Sequence, residues 1–382
     1  PMSTSHRERV VAAMNLQKPD RVPLMCQFSI GAMMNQLHPD PVAFWYDQKT
    51  FADGLIELCQ RFHFDGILVS LHGHSDYWKK DLIARKDLGE GRVELQYPDR
   101  KELHSWEDLP MVTFLQPRPN KDIESIDIDK DIPDTLDYIP VSHNLYFHLD
   151  RDNLFGIFDY LQEKTAGEYS IHGEITSPLD YFLDTLGYEN GLIAMMLDPE
   201  KCEKILAKYT VMIRDLAVAM CQKDIDAIKI SSPFAGMGFI STDFYRQFVL
   251  PFEKQIVQAI RQTGKHAYIH TCGSIGDRLE VMCESGLSGL ECLDPPPVGN
   301  VDLEDAFNRV GDRIFIKGNI DSVNTLLLGD DEKVCRDVGK IIEIGKRKGK
   351  GFILSTACSI APKVSKEHLL MLSQLVEEQG YY

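Results

Sequence analysis

The residues of this 382-residue chain that could do chemistry sit at the ends of short apolar runs. The sharpest case is Ile269-His270-Thr271-Cys272-Gly273-Ser274, an imidazole and a thiol two residues apart. If Ala267 to Cys272 is a strand, His270 and Cys272 face the same side. A third soft donor, Cys358, closes another apolar run near the C-terminus. Zn²⁺ takes tetrahedral N/S ligation, and a catalytic site keeps one position open. His270, Cys272 and Cys358 would supply three ligands and leave that position free. The pattern alone also allows buried side chains that merely alternate, since most cytosolic cysteines are small core hydrophobes. Cys26, Cys59, Cys202, Cys221, Cys283, Cys292 and Cys335 have no such company and are read as ordinary thiols.

Other run ends carry Gln27, His72 with His74, His172 with Glu174, Ser231, Glu291 with Asp294, and Asn319 with Asp321. Burying so many polar groups without partners would cost about 1–3 kcal/mol each. They therefore read as one functional rim. His172 and Glu174 share a strand face and are expected in the pocket, binding substrate or handling a proton; a satisfied core histidine is the other reading of His172. Asn319 would orient substrate or hold backbone. Asp321 would cap the next helix. His72 and His74 would form a pair in the mouth or lie solvated. Glu291 should point inward and leave Cys292 to pack against helices.

Eight apolar runs position these groups, at 21–28, 64–73, 169–175, 226–232, 266–273, 287–294, 313–320 and 351–359. Each is too apolar to be half-solvated, as parallel strands buried on both faces should be. Helical faces lie between them, such as Phe252, Ile256, Val257 and Ile260 before Gly264, and Val334, Val338, Ile341 and Ile342 before Gly345. This alternation predicts an α/β fold, a (β/α)8 TIM barrel in which chemistry gathers at the strand C-termini. The whole chain, 1–382, reads as one barrel domain with a long insertion after the second strand. That insertion, 74–165, contains a hairpin turning at Glu90-Gly91 and an acidic, breaker-rich loop over 117–134. It is expected over the barrel mouth as a lid or docking element.

Composition narrows the function. A formal charge of −17 argues against nucleic acid or an anionic membrane surface as partner. No apolar run reaches the roughly 18 residues that span a bilayer. The first residues are polar and basic, without the apolar core of a signal peptide, so the protein is expected in the cytoplasm. Nine cysteines then mean free, catalytic or metal-bound thiols. "GKRKGKG" (345–351) and "GMGFIS" (236–241) match neither a P-loop nor a dinucleotide fingerprint.

Residues 239–286, with the later "IFIKGNIDS" (314–322) and "FILSTACSIAPKVSKEHL" (352–369), resemble the uroporphyrinogen decarboxylase superfamily. His-x-Cys-Gly followed by a late Cys is similar to its zinc-dependent corrinoid-linked methyltransferase branch, which includes methylcobamide:coenzyme M methyltransferases. The resemblance implies a barrel with Zn²⁺ on His270, Cys272 and Cys358, working with a corrinoid (cobalamin) on a separate carrier protein. Glu291 becomes the expected fourth zinc ligand, displaced by substrate; a general acid or a group supporting the ligands is the alternative. Rim aromatics (Phe28, Tyr77, Trp78, Tyr146, Phe234) favour an aromatic methyl ether, demethylated at oxygen, over a small thiol acceptor. The decarboxylases bind a polycarboxylate with an arginine-rich N-terminal segment, where this chain has Arg21 and then no further arginine in "RVPLMCQFSIGAMM". A decarboxylase is therefore the less favoured activity, and a barrel keeping zinc for structure is a further one. Oligomeric state is left open.

Overall fold

The computed structural model describes residues 4–142 and 144–382. Seven parallel strands form one curled sheet: β1 (Gly66–Val69), β2 (Ser170–Thr176), β3 (Ala227–Ser231), β4 (His266–Thr271), β5 (Gly289–Cys292), β6 (Phe315–Ile320) and β7 (Phe352–Thr356). Each pairs in parallel with the next in sequence. The remaining gap is filled by the first apolar run. Leu354 N donates to Pro23 O at 2.8 Å, Met25 N donates to Leu354 O at 3.0 Å, and Asp65 N donates to Leu24 O at 2.7 Å. Residues 23–25 thus bond to β7 on one side and to the start of β1 on the other. All eight expected strand positions are occupied, and the fold is a TIM barrel.

Inside the barrel, Met25, Leu68, Ala227, Tyr268, Phe315 and Ile353 make one apolar layer. Val10, Ala13 and Met14 of the helix His6–Met14 plug it from the N-terminal side. That helix starts with a Ser5/Glu8 capping box. It is tied down by Asp65, which accepts from Arg9 at 2.8 Å, Arg21 at 2.9 Å and the Leu24 amide at 2.7 Å. Arg21 is therefore spent on the bottom of the barrel, far in topology from the strand C-termini.

The helix Leu250–Gln262 buries Phe252, Ile256, Val257 and Ile260 as its spacing predicts, and Gly264 follows it at φ 90°. The helix Asp331–Lys348 runs on past Gly345 to a left-handed Gly349. Gly345 is there for close packing instead: a Cβ would lie 1.9 Å from the Phe352 ring. The insertion carries a four-stranded antiparallel sheet, 84–114, whose first turn is the expected Glu90-Gly91, both at positive φ. A second hairpin pairs Tyr138–Ser142 with Leu145–His148. The 117–134 stretch is loop apart from one turn of helix, Ile128–Asp131. No helix among the described residues is long and apolar enough to cross a membrane.

Candidate metal centre and the adjoining cavity

Four soft donors meet at the C-terminal ends of β4, β5 and β7. His270 Nε2 lies 3.2 Å from Cys272 Sγ, and Cys358 Sγ lies 3.7 Å from both Cys272 Sγ and Cys292 Sγ. The ligand atoms of His270, Cys272, Cys292 and Cys358 all lie within 4.8 Å of one another. Hydrogen bonds from Cys292 and Cys358 push the Cys272 thiol well down, so the cluster favours thiolate. Cys358 also approaches Asp294 (3.4 Å), whose carboxylate accepts from Gly273 N at 2.7 Å.

Cys292 was expected outside. Strand alternation puts Glu291 inward and its neighbour outward, but the strand ends there with Cys292 at φ 87° and Leu293 at φ 54°. These two left-handed residues turn the thiol back into the mouth, at a backbone cost of about 1–3 kcal/mol each. The turn is held from β6. Asn319 Nδ2 donates to Leu293 O at 2.9 Å, and a Cβ on Gly318 would sit 2.7 Å from Cys292 O. Asn319 thus holds backbone. No local sequence signal announces this turn.

Glu291 is not placed as a ligand. Its Oε1 accepts from His270 Nδ1 at 2.7 Å and from Lys229 at 2.8 Å, and its Oε2 accepts from Lys317 at 2.5 Å. Both oxygens are thus taken by His270, Lys229 and Lys317, and Glu291 is not among the four clustered donors. Burial pushes this carboxyl up, yet Lys229 and Lys317 outweigh it and hold Glu291 well below the usual range. The result is a carboxylate–histidine pair that leaves Nε2 free for a metal, a common support for ligating histidines. Lys229 also contacts Gln27 and lies 3.3 Å from Glu174. Neither lysine stands at a strand end, but a lysine inside an apolar strand ("DAIKISS", "RIFIKGNI") is itself a sign of a buried partner.

His172 does not join the site. Its ring bonds Ser170 Oγ at 2.9 Å and Tyr268 OH at 2.8 Å, fully buried in the barrel interior. It is the satisfied core histidine. His72 and His74 are buried as well, His72 against Leu154 O and His74 between Phe51 and Phe147, so neither is solvated.

Beside the donor cluster lies a cavity of about 470 Å³. Ser359, next to Cys358, and Ser231, paired across the sheet with His270, form part of its wall. Gln27, Glu174 and Thr176 line it from the barrel, and Asp108, Leu109 and Ile139 to Ser142 from the insertion. Of the rim aromatics, Phe28 and Phe234 line it, joined by Tyr188; Tyr77, Trp78 and Tyr146 do not.

Residues 143–379 match the family described as uroporphyrinogen decarboxylase (URO-D). The chain belongs to the uroporphyrinogen decarboxylase family. Among curated relatives, a uroporphyrinogen decarboxylase of Chloroherpeton thalassium is 28% identical over 48% of this chain and 51% of its own length. A methylcobamide:CoM methyltransferase MtbA of Methanosarcina acetivorans is 28% identical over 58% of this chain and 62% of its own. The chain therefore spans about half to three-fifths of these two relatives. The MtbA of Methanosarcina mazei matches over 98% of both chains, at 22% identity. A solved methyltransferase from Methanosarcina mazei shares the fold, with TM-score 0.71, 19% identity and 98% of both chains covered. Within the uroporphyrinogen decarboxylase family, the full-length similarity thus runs to the corrinoid-linked methyltransferases.

Proposed function

We propose that this protein moves a methyl group between a small methylated substrate and the cobalt of a corrinoid carried by a separate protein, with zinc held by His270, Cys272, Cys292 and Cys358. The donor cluster beside the cavity is the observation that carries this reading. Sulfur contacts of 3.7 Å fit the edge of a tetrahedron built on Zn–S bonds of about 2.3 Å. When bound, zinc supplies Lewis acidity to the heteroatom that carries or receives the methyl group. The chain's own residues do the rest. Glu291 orients His270, and Lys229 and Lys317 keep Glu291 ionised. Asn319 holds the turn that delivers Cys292. Gln27 and Glu174, both in contact with Lys229, link the cavity wall to this network. The insertion, 74–165, acts as a lid on a single barrel domain, because Asp108, Leu109 and Ile139 to Ser142 form part of the cavity wall.

Four protein donors are also the composition of a structural zinc site. Their place at the strand C-termini, next to a cavity, favours catalysis. The aromatic lining supports the methyl ether reading. A thiol acceptor of the kind in the relatives' names is second, since the anion in such a substrate would find no cationic side chain among the described lining residues. The same absence, with Arg21 committed to Asp65, weighs against a polycarboxylate substrate and decarboxylation.

The test mixes zinc-loaded protein with a Co(I) corrinoid carrier and a panel of methyl ethers, thioethers and methylamines. Formation of methylated corrinoid is followed by absorbance, with Cys358→Ser as control. The reading fails if no donor changes the spectrum and methylated corrinoid in turn gives nothing to thiols.

A further inference from the structure

The ammonium group of Lys229 has three acceptors around it. They are Glu291 Oε1 at 2.8 Å, Glu174 Oε1 at 3.3 Å and the side-chain oxygen of Gln27. Lysine carries three donors and no acceptor, so Lys229 is fully engaged and offers nothing to the cavity. The same chemistry orients its partners. Only the carbonyl oxygen of Gln27 can face a lysine, which leaves Nε2 and its two N–H donors as the free end. Glu174 places Oε1 on Lys229 and keeps Oε2, an acceptor, without a hydrogen-bond partner among the described residues.

Both free ends can be reached. Gln27 and Glu174 line the cavity, and neither free atom is among the buried atoms that lack a partner. The Glu174 side chain is 14% exposed. Because the two residues share one nitrogen as a contact, the free donor and the free acceptor lie within reach of one small group. A hydroxyl is such a group, since it donates one hydrogen bond and accepts others through the same atom. It is also neutral, as suits a lining with no Lys, Arg or His among the described residues. Phe28, next to Gln27 in the chain, and Tyr188 and Phe234 give apolar surface for a ring.

We infer that Gln27 and Glu174 read a free hydroxyl, so that this cavity selects a neutral aromatic methyl ether whose ring also carries a hydroxyl group. The hydroxyl accepts from Gln27 Nε2 and donates to Glu174 Oε2. A methyl group in its place leaves both unmet. That such an ether is the methyl donor rests on the methyl-transfer reading; the hydroxyl preference in binding does not.

Calorimetry on the zinc-loaded protein compares each of the three methoxyphenols with the methoxytoluene of the same substitution pattern. At least one methoxyphenol should bind about ten-fold tighter than its partner, although the toluene is the more apolar ligand. Glu174→Gln and Gln27→Glu each keep an oxygen for Lys229 while reversing the free end. Each alone should bring that ratio within about three-fold, and the double exchange, which restores one donor and one acceptor, should return it to about ten-fold. Zinc content, unchanged in all three variants, checks that the fold is kept. The inference is overturned if no methoxyphenol is preferred or if none of the six ligands binds. It is equally overturned if the single variants keep the wild-type ratio or the double variant stays with the singles. The corrinoid assay is read separately. A hydroxyl preference without methylated corrinoid leaves the binding site standing and removes the methyl-transfer reading, whereas methylated corrinoid without the preference does the reverse.

Discussion

At the scale of single residues, Glu291 and Cys292 exchange the roles that alternation assigns them. Glu291 points inward as expected, but two lysines and His270 take its oxygens; Cys292 enters the donor set through a left-handed turn. Glu291→Gln should therefore leave the sulfur count at zinc unchanged in X-ray absorption while weakening zinc affinity about 10–100-fold. A change in the first coordination shell would instead restore Glu291 as a ligand. Cys292→Ser should lower the sulfur count from three to two, and an unchanged count would remove Cys292 from the site. His172 was legible only as a choice between pocket and core, because a strand position says which face a side chain takes but not how deep it lies. Tyr268, ninety-six residues away, decides that depth by bonding its ring.

At the scale of elements, the apolar runs translate directly into strands, since a parallel strand covered on both faces needs an unbroken apolar stretch. The helix Leu250–Gln262 shows where periodicity is incomplete. Its apolar face also buries Glu253, 1% exposed, with neither oxygen hydrogen-bonded. Burial, partly opposed by Ser232, raises this carboxyl to about 7. The folded state therefore holds a proton that the unfolded chain releases near pH 4.5. Stability from this group is full below pH 4.5 and is lost as pH rises towards 7, by about 3 kcal/mol. Denaturation at pH 5 and pH 8 should show that loss in the wild type and not in Glu253→Gln. Equal pH dependence of the two proteins would refute the assignment.

At the scale of the whole molecule, closure of the barrel depends on one buried carboxylate. Asp65 gathers Arg9, Arg21 and the Leu24 amide, and Arg21 reaches on to Glu377 near the C-terminus at 3.3 Å. Asp65→Asn leaves two buried guanidinium groups short of a counter-charge and should cost about 3–5 kcal/mol. Thermal unfolding would show it as a lowered Tm, while zinc stoichiometry in the surviving folded protein stays at the wild-type value. Loss of zinc at temperatures where the fold persists would mean that the bottom of the barrel and the donor cluster are coupled.

The sequence by itself determined the barrel and the strand face that His270 and Cys272 share. Those features depend on local periodicity and on the face a residue takes within its own strand, which neighbouring residues suffice to specify. Only the tertiary structure decided that Cys292 turns inward and that Glu291 accepts from His270, Lys229 and Lys317. Each of these depends on what arrives from another strand: Gly318 and Asn319 beneath the turn, and Lys229 and Lys317 on the carboxylate. Distances of that kind are set by closing the sheet on itself, and no stretch of chain carries them alone.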